Sequence, residues 1–220
     1  MKKMKAYGVV LSAIMMVTAS IFSTVAYLKD SMAVKNTFTV GKVSLRLDEA
    51  VVNEQGVPIG DVDLDGKQER TKVGNHYHLV PGKLYVKDPT MTLEEGSEES
   101  YVRMLVTINC YEELVTIFGD SFLLECFIEG WNREIWEVTD ESLKNNANNT
   151  ATYEFRYYKT VQAKEQELVL EPLFTDIHVP DILTREQLAM VENLEIVVEG
   201  HAIQKTGFEN VEEAWAHFKK

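Results

Sequence analysis

The chain has 220 residues, 45% of them hydrophobic, 10% aromatic and 26% charged, which excludes a disordered, collagenous or low-complexity protein. Acids outnumber bases 35 to 22, so the formal charge of −13 excludes a basic nucleic-acid footprint and charge-driven binding to anionic lipid. Two cysteines exclude a disulfide-rich scaffold, and a mean hydropathy of −0.17 excludes a polytopic membrane protein.

The first residues stand apart from the rest. Lys2, Lys3 and Lys5 precede an uncharged, mostly apolar run, Gly8 to Phe22; Ser23-Thr-Val-Ala26 then supplies small residues before the first acid, Asp30. A basic start, a short apolar run and a small-residue exit predict a secretory signal peptide. Thr24 and Ala26 fit the −3 and −1 positions, so cleavage after Ala26 leaves Tyr27 as the new N-terminus. The alternative is an uncleaved anchor, but the run is about 15 residues against the roughly 20 that a spanning helix needs. The expected organisation is a signal peptide over 1–26 and one domain over 27–220, more acidic for the loss of three lysines and working outside the membrane.

Asn36 to Leu47 reads as a strand in which Phe38, Val40, Val43, Leu45 and Leu47 alternate, with a phase shift at Gly41 that suggests a bulge. Glu54 to Gly74 is polar and turn-rich. Tyr77 to Val86 reads as a strand interrupted at Pro81-Gly82, and Asp88-Pro89 and Glu94 to Ser100 are further breaks. Tyr101 to Cys110 is the clearest strand, with Val102, Met104, Val106, Ile108 and Cys110 on one face and Arg103, Thr107 and Asn109 on the other. A short helix is expected over Glu112 to Phe118, helical turns within Phe122 to Trp136, and a loop tip over Lys144 to Thr150. Strands resume at Ala151 to Lys159, Glu167 to Val179 and Leu194 to Gln204. Thr184 and Gln187 form a capping box for a short helix, and Asn210 caps a last one over Val211 to Phe218. No long helix follows each strand, so the pattern predicts a mainly β protein: an antiparallel, jelly-roll-like β-sandwich with short peripheral helices.

A zinc protease needs three protein ligands and a base beside the metal, and its strong signature, His-Glu-x-x-His on a helix, is absent. His76 and His78 would share one face of a strand, with a third ligand from His178 or His201; the competing reading is solvated histidines beside Tyr77. Asp61, Asp63, Asp65 and Gly66 match the opening of a calcium loop, but position 12 is Lys72 where a bidentate Glu belongs. An ordinary acidic turn explains them equally. Cys110 and Cys126 could form a disulfide after export, worth roughly 3 kcal/mol in the chain-entropy model, or Cys110 could be a buried thiol. Asn148-Asn-Thr150 fits a glycosylation sequon that matters only in a eukaryotic host. Trp131, Trp136 and Trp215 pack on the sandwich or form an exposed platform, the first being the rule for large aromatics. No phosphate loop or nucleophile elbow occurs.

Ala26-Tyr-Leu-Lys-Asp30 followed by Asn36-Thr-Phe-Thr-Val-Gly41 resembles the export junction of the TasA/camelysin family of Gram-positive bacteria. Val80 to Thr90, Glu98 to Arg103, and His201-Ala-Ile-Gln204 with Ala214-Trp215 are similar to its clostridial-type members. The resemblance implies a jelly-roll fold, export through a SipW-type signal peptidase and, as in TasA, assembly into biofilm-matrix fibres. Camelysins have instead been classed as surface metalloproteases. The expectation is a non-enzymatic, secreted, cell-surface or matrix subunit that needs no cofactor and binds no nucleic acid. It would self-associate when the strand carrying Phe38, Val40, Val43, Leu45 and Leu47 pairs with a neighbour's sheet edge. The alternatives are a camelysin-like metalloprotease and a monomeric adhesion or binding module.

Overall fold

The computed structural model describes residues 29–32, 43–62, 66–119, 124–139, 143–145 and 147–218, with residues 29–32 and 143 as backbone only. The expected signal peptide, including Thr24, Ala26 and Tyr27, lies outside them, as do Phe38, Val40, Asp63 and Asp65. The first half forms strands β1 (Lys29–Met32), β2 (Leu45–Ala50), β3 (Arg70–Thr71), β4 (Leu84–Val86), β5 (Thr90–Leu93) and β6 (Ser97–Ile108), then helix α1 (Tyr111–Phe118). A 3-10 turn at Leu124–Cys126 leads to β7 (Ile128–Glu129), β8 (Trp136–Val138), β9 (Leu143–Asn145), β10 (Thr150–Tyr157), β11 (Val161–Ala163), β12 (Leu168–Val169) and β13 (Asp176–His178). Helix α2 (Arg185–Met190), β14 (Ile196–Gln204) and helix α3 (Val211–His217) complete the order.

Every named strand pairing is antiparallel. The large sheet runs β1-β14-β6-β10-β8, with β11 on β6 and β9 on β10; a second runs β12-β5-β2-β3 and a small third one β4-β13-β7. The fold is therefore mainly β, an antiparallel sandwich with short helices at its periphery.

Alternation makes the core. Val102, Met104, Val106 and Ile108 of β6 face inward, flanked in register by Val198, Gly200 and Ala202 of β14 and by Ala151, Tyr153 and Phe155 of β10. The second sheet closes over them with Leu45, Met91 and Leu93, and the third adds Ile128 and Ile177. Gly200 makes room for the facing sheet: a Cβ there would lie 3.1 Å from Met91 Cε. Met91 is fully buried, so its side chain fills the space that the glycine leaves.

Several expected elements have different limits. The ladder of β2 begins at Leu45, and β2 lies between β5 and β3, so its apolar row fills this chain's own core. Only Leu84–Val86 of the expected 77–86 strand enters a ladder. Pro172 and the buried Leu173 and Phe174 separate β12 from β13 where one strand was expected. Among the described residues of the 122–136 segment, the helical part is one 3-10 turn, followed by the short strand β7 and, from Trp136, by β8. Strand β6 ends at Ile108; Cys110 is left-handed, with φ 53, at the start of α1, and its half-buried side chain still packs against the core. The Thr184 capping box and the Asn210 cap form as the sequence indicates. Asn210 accepts from Glu213 N–H at 2.9 Å.

Gly200→Val should lower stability by about 1–3 kcal/mol, the usual cost of overpacking a filled core. Urea unfolding of the folded variant against the native protein measures it.

Candidate functional site

The first described element after the expected cleavage point is β1. It pairs with β14 from Lys29↔Ile203 to Met32↔Gly200 and forms the outer strand of the large sheet. Its other side pairs with no strand among the described residues. An edge strand of four residues, paired on one side, is the kind of element through which sheets add strands from other chains. Beneath it, β14 is fixed to β6 from Ile196↔Ile108 to Gln204↔Ser100. The seam thus joins a short outer strand to a firmly held one.

The face of this seam turned away from the core carries an ionic network. Arg103 lies opposite His201 on one side and opposite Arg156 on the other. Two like charges directly opposed destabilise a sheet pair. Glu154 resolves the conflict: one oxygen accepts from Arg103 Nη1 at 3.0 Å and the other from Arg156 Nε at 2.6 Å. Arg103 Nε donates to His201 Nδ1 at 3.2 Å, so that nitrogen bears no proton. Helix α3 covers the group, with the Arg103 guanidinium 4.3 Å from the Trp215 ring and the His201 ring stacked on Phe218 at 4.6 Å. Burial pushes the Arg103 guanidinium below its ordinary value and the Arg156 charge adds to this, while Glu154 opposes it. Trp215 Nε1 is buried without a hydrogen-bond partner. Sequence reading placed Arg103 on a face opposite the core but missed its cover; the signal was the Ala214-Trp215…Phe218 side of the last helix. The network docks α3 across β6 and β14.

The expected metal residues do not converge. His76 and His78 are both exposed, on an extended stretch outside any ladder. The His78 backbone is anchored, N–H to Glu54 O at 2.7 Å and C=O to the Tyr85 hydroxyl at 2.7 Å. His178 Nδ1 lies 3.1 Å from Glu129 Oε1, and His201 belongs to the Arg103 network. Asp61 is exposed and its N–H donates to Glu69 Oε2 at 3.3 Å, so the carboxylate at loop position 9 already holds backbone. Among the described residues no group of three or more His, Cys, Asp or Glu side chains is placed to hold a metal ion.

The two cysteines are free thiols, Cys110 half-buried and Cys126 exposed. The tryptophans pack: Trp136 is fully buried, Trp131 meets Phe155 edge-to-face at 5.2 Å, and Trp215, on α3, is buried in a cluster with Ile203 and Phe218. Among the described residues no helix is long and apolar enough to cross a membrane. Comparison with protein-family models, with curated proteins and with solved structures gives no match.

Two outcomes follow from this geometry. Glu154→Gln leaves two opposed guanidinium groups under-compensated and should cost about 1–3 kcal/mol, read as a lower urea midpoint with a change in tryptophan fluorescence. Burial, with Glu113 and Glu195 nearby, pushes the Cys110 thiol up. Less of it is thiolate at neutral pH, so iodoacetamide should label Cys126 first and the difference should narrow as pH rises.

Proposed function

We propose that the protein is an exported, non-enzymatic structural subunit of the cell surface or extracellular matrix, resembling TasA, that assembles with copies of itself through its N-terminal strand. The observation that carries this reading is the position of β1: it lies just past the Ala26-Tyr27 junction and occupies the edge of the large sheet. A strand whose leading end is freed by a SipW-type signal peptidase can leave its own β14 and cover the β14 of a neighbour. Repetition of that heterologous contact builds an open filament.

The reading moves the exchanging element. Val43 and Leu45 are buried and Leu47 packs against the same core, so exchange of β2 would require the sandwich to open. Exchange of β1 breaks one short ladder. A monomeric adhesion or binding module is the second reading, favoured by the fact that β1 already pairs within its own chain. For a camelysin-like metalloprotease, the described residues supply no converging ligand set.

Sedimentation of the chain starting at Tyr27 beside one starting at Ala33 separates the first two readings. Association of the longer chain alone is expected, rising with salt as the repulsion of an acidic surface is screened. A peptide of residues 27–35 should bind the shorter chain. If the longer chain stays monomeric across salt and pH and the peptide fails to bind, the monomeric module replaces the fibre subunit.

A further inference from the structure

The inward row of β2 starts with apolar residues and ends with a carboxylate. After Val43, Leu45 and Leu47 comes Glu49, 7% exposed. Lys87, two residues beyond the fully buried Tyr85, is 6% exposed, and its Nζ lies 2.5 Å from Glu49 Oε2. The other oxygen, Oε1, accepts from the Asn75 side-chain Nδ2 at 2.8 Å and from the Asn75 backbone N–H at 3.0 Å. One buried carboxylate therefore holds an amine and a carboxamide side by side.

The carboxamide is oriented by its remaining bonds. Its Oδ1 accepts from Val52 N–H at 3.1 Å, and Nδ2 also donates to Ala50 O at 2.9 Å. Close by, Tyr77 packs edge-to-face on Tyr85 at 5.8 Å, and the Tyr77 hydroxyl donates to Val86 O at 3.1 Å. Burial of an ion pair rarely stabilises by itself, because the desolvation of both charges offsets their attraction. The arrangement does fit a condensation: a nucleophile beside its base, a carbonyl oxygen on a backbone donor, and a leaving nitrogen on the same carboxyl group.

We propose that Lys87 and Asn75 join in an intramolecular isopeptide bond, with Glu49 as the proton-transfer group. The Lys87 ammonium gives one proton to Glu49, and the neutral Nζ attacks Asn75 Cγ. Charge developing on Oδ1 is held by Val52 N–H. As the C–Nδ2 bond breaks, Nζ gives up a second proton, relayed through the Glu49 carboxyl to Nδ2. The products are one secondary amide and one ammonia, which leaves as ammonium with the proton that Glu49 first took up. The step is not a redox reaction and needs no co-reactant. The bond would tie the stretch after β3 to the end of β4.

Mass spectrometry of the denatured native protein, with its N-terminus sequenced, tests the assignment. The expected mass is the sequence mass less one ammonia. Trypsin should leave residues 73–83 bonded to a peptide that begins at Leu84 and is uncut after Lys87. Asn75→Ala and Lys87→Arg should lack the branched peptide. Asn75→Asp should restore the same product by losing water, and Glu49→Gln should slow its formation at least tenfold. A native protein that is folded by circular dichroism yet carries its full mass, is cut completely after Lys87, or contains Asp at 75 with free Lys87 overturns the bond. An unchanged rate in Glu49→Gln overturns the role of Glu49.

Discussion

Strand β6 must be covered on both faces, and most of the architecture answers that requirement. It is paired on one side by β14 and on the other by β10 and β11, so its backbone hydrogen bonds are spent within the large sheet. Its inner row meets the second sheet at Met91 and Leu93. Its outer row carries Tyr101, Arg103 and Leu105, too much apolar and charged surface to leave bare at the centre of a sheet. Helix α3 supplies the cover, with Ala214, Trp215 and Phe218 packed on Ile203 and Tyr101. Arg103 is then tolerated because its charge is paired with Glu154 and its flat face is turned to aromatic rings.

Charge is managed differently at the other end of the molecule. Arg70 donates to both Asp48 and Asp88 and so ties β2 to the segment between β4 and β5. Half-exposed pairs of this kind contribute little each, but here they share partners with backbone: Arg70 Nη2 also donates to Asp48 O at 3.1 Å and Asp88 O at 3.0 Å. Beside them Glu49, Lys87 and Asn75 fill the end of the inward row. The long polar excursion from β2 to β4 is thereby held at its root by ionic and amide groups, in addition to the apolar contact of Tyr77 and Leu79 with the cluster of Tyr85, Val179 and Leu183.

Much of this was legible in the residues. Tyr101 to Cys110, Ala151 to Lys159 and Leu194 to Gln204 alternate cleanly and became β6, β10 and β14. Thr184 and Asn210 cap their helices because their side-chain oxygens have no better partner than a free N–H. What alternation cannot tell is what lies over a face. Arg103 reads as solvent-facing until α3 is folded back on it, and Glu49 reads as an end of strand until Lys87 arrives from 38 positions away. The two-residue strands β3, β7 and β12 have no period to detect. Nor does a strand pattern distinguish an interior strand from an edge, which is why Val43, Leu45 and Leu47 suggested exchange while the shorter Lys29–Met32, with no apolar alternation, occupies the edge.

The elements also differ in how firmly they are held, and that ordering bears on the proposed assembly. The β6–β14 ladder is long, two-faced and backed by α3, and the root of the excursion is tied by several partners at once. Strand β1 pairs with β14 over four residues and also lies near β2. Local opening follows the number of contacts that must break: release of β1 breaks a four-residue ladder, while release of β2 would draw Leu45 and its neighbours from the core. An edge that opens without disturbing the sandwich leaves β14 as a preformed acceptor. Once β1 is away, the exposed donors and acceptors of β14 must find another strand or water; in the proposed assembly that strand is a second copy's β1. The longer ladders beneath the seam confine any opening of this edge to β1 and the side of β14 that it covers.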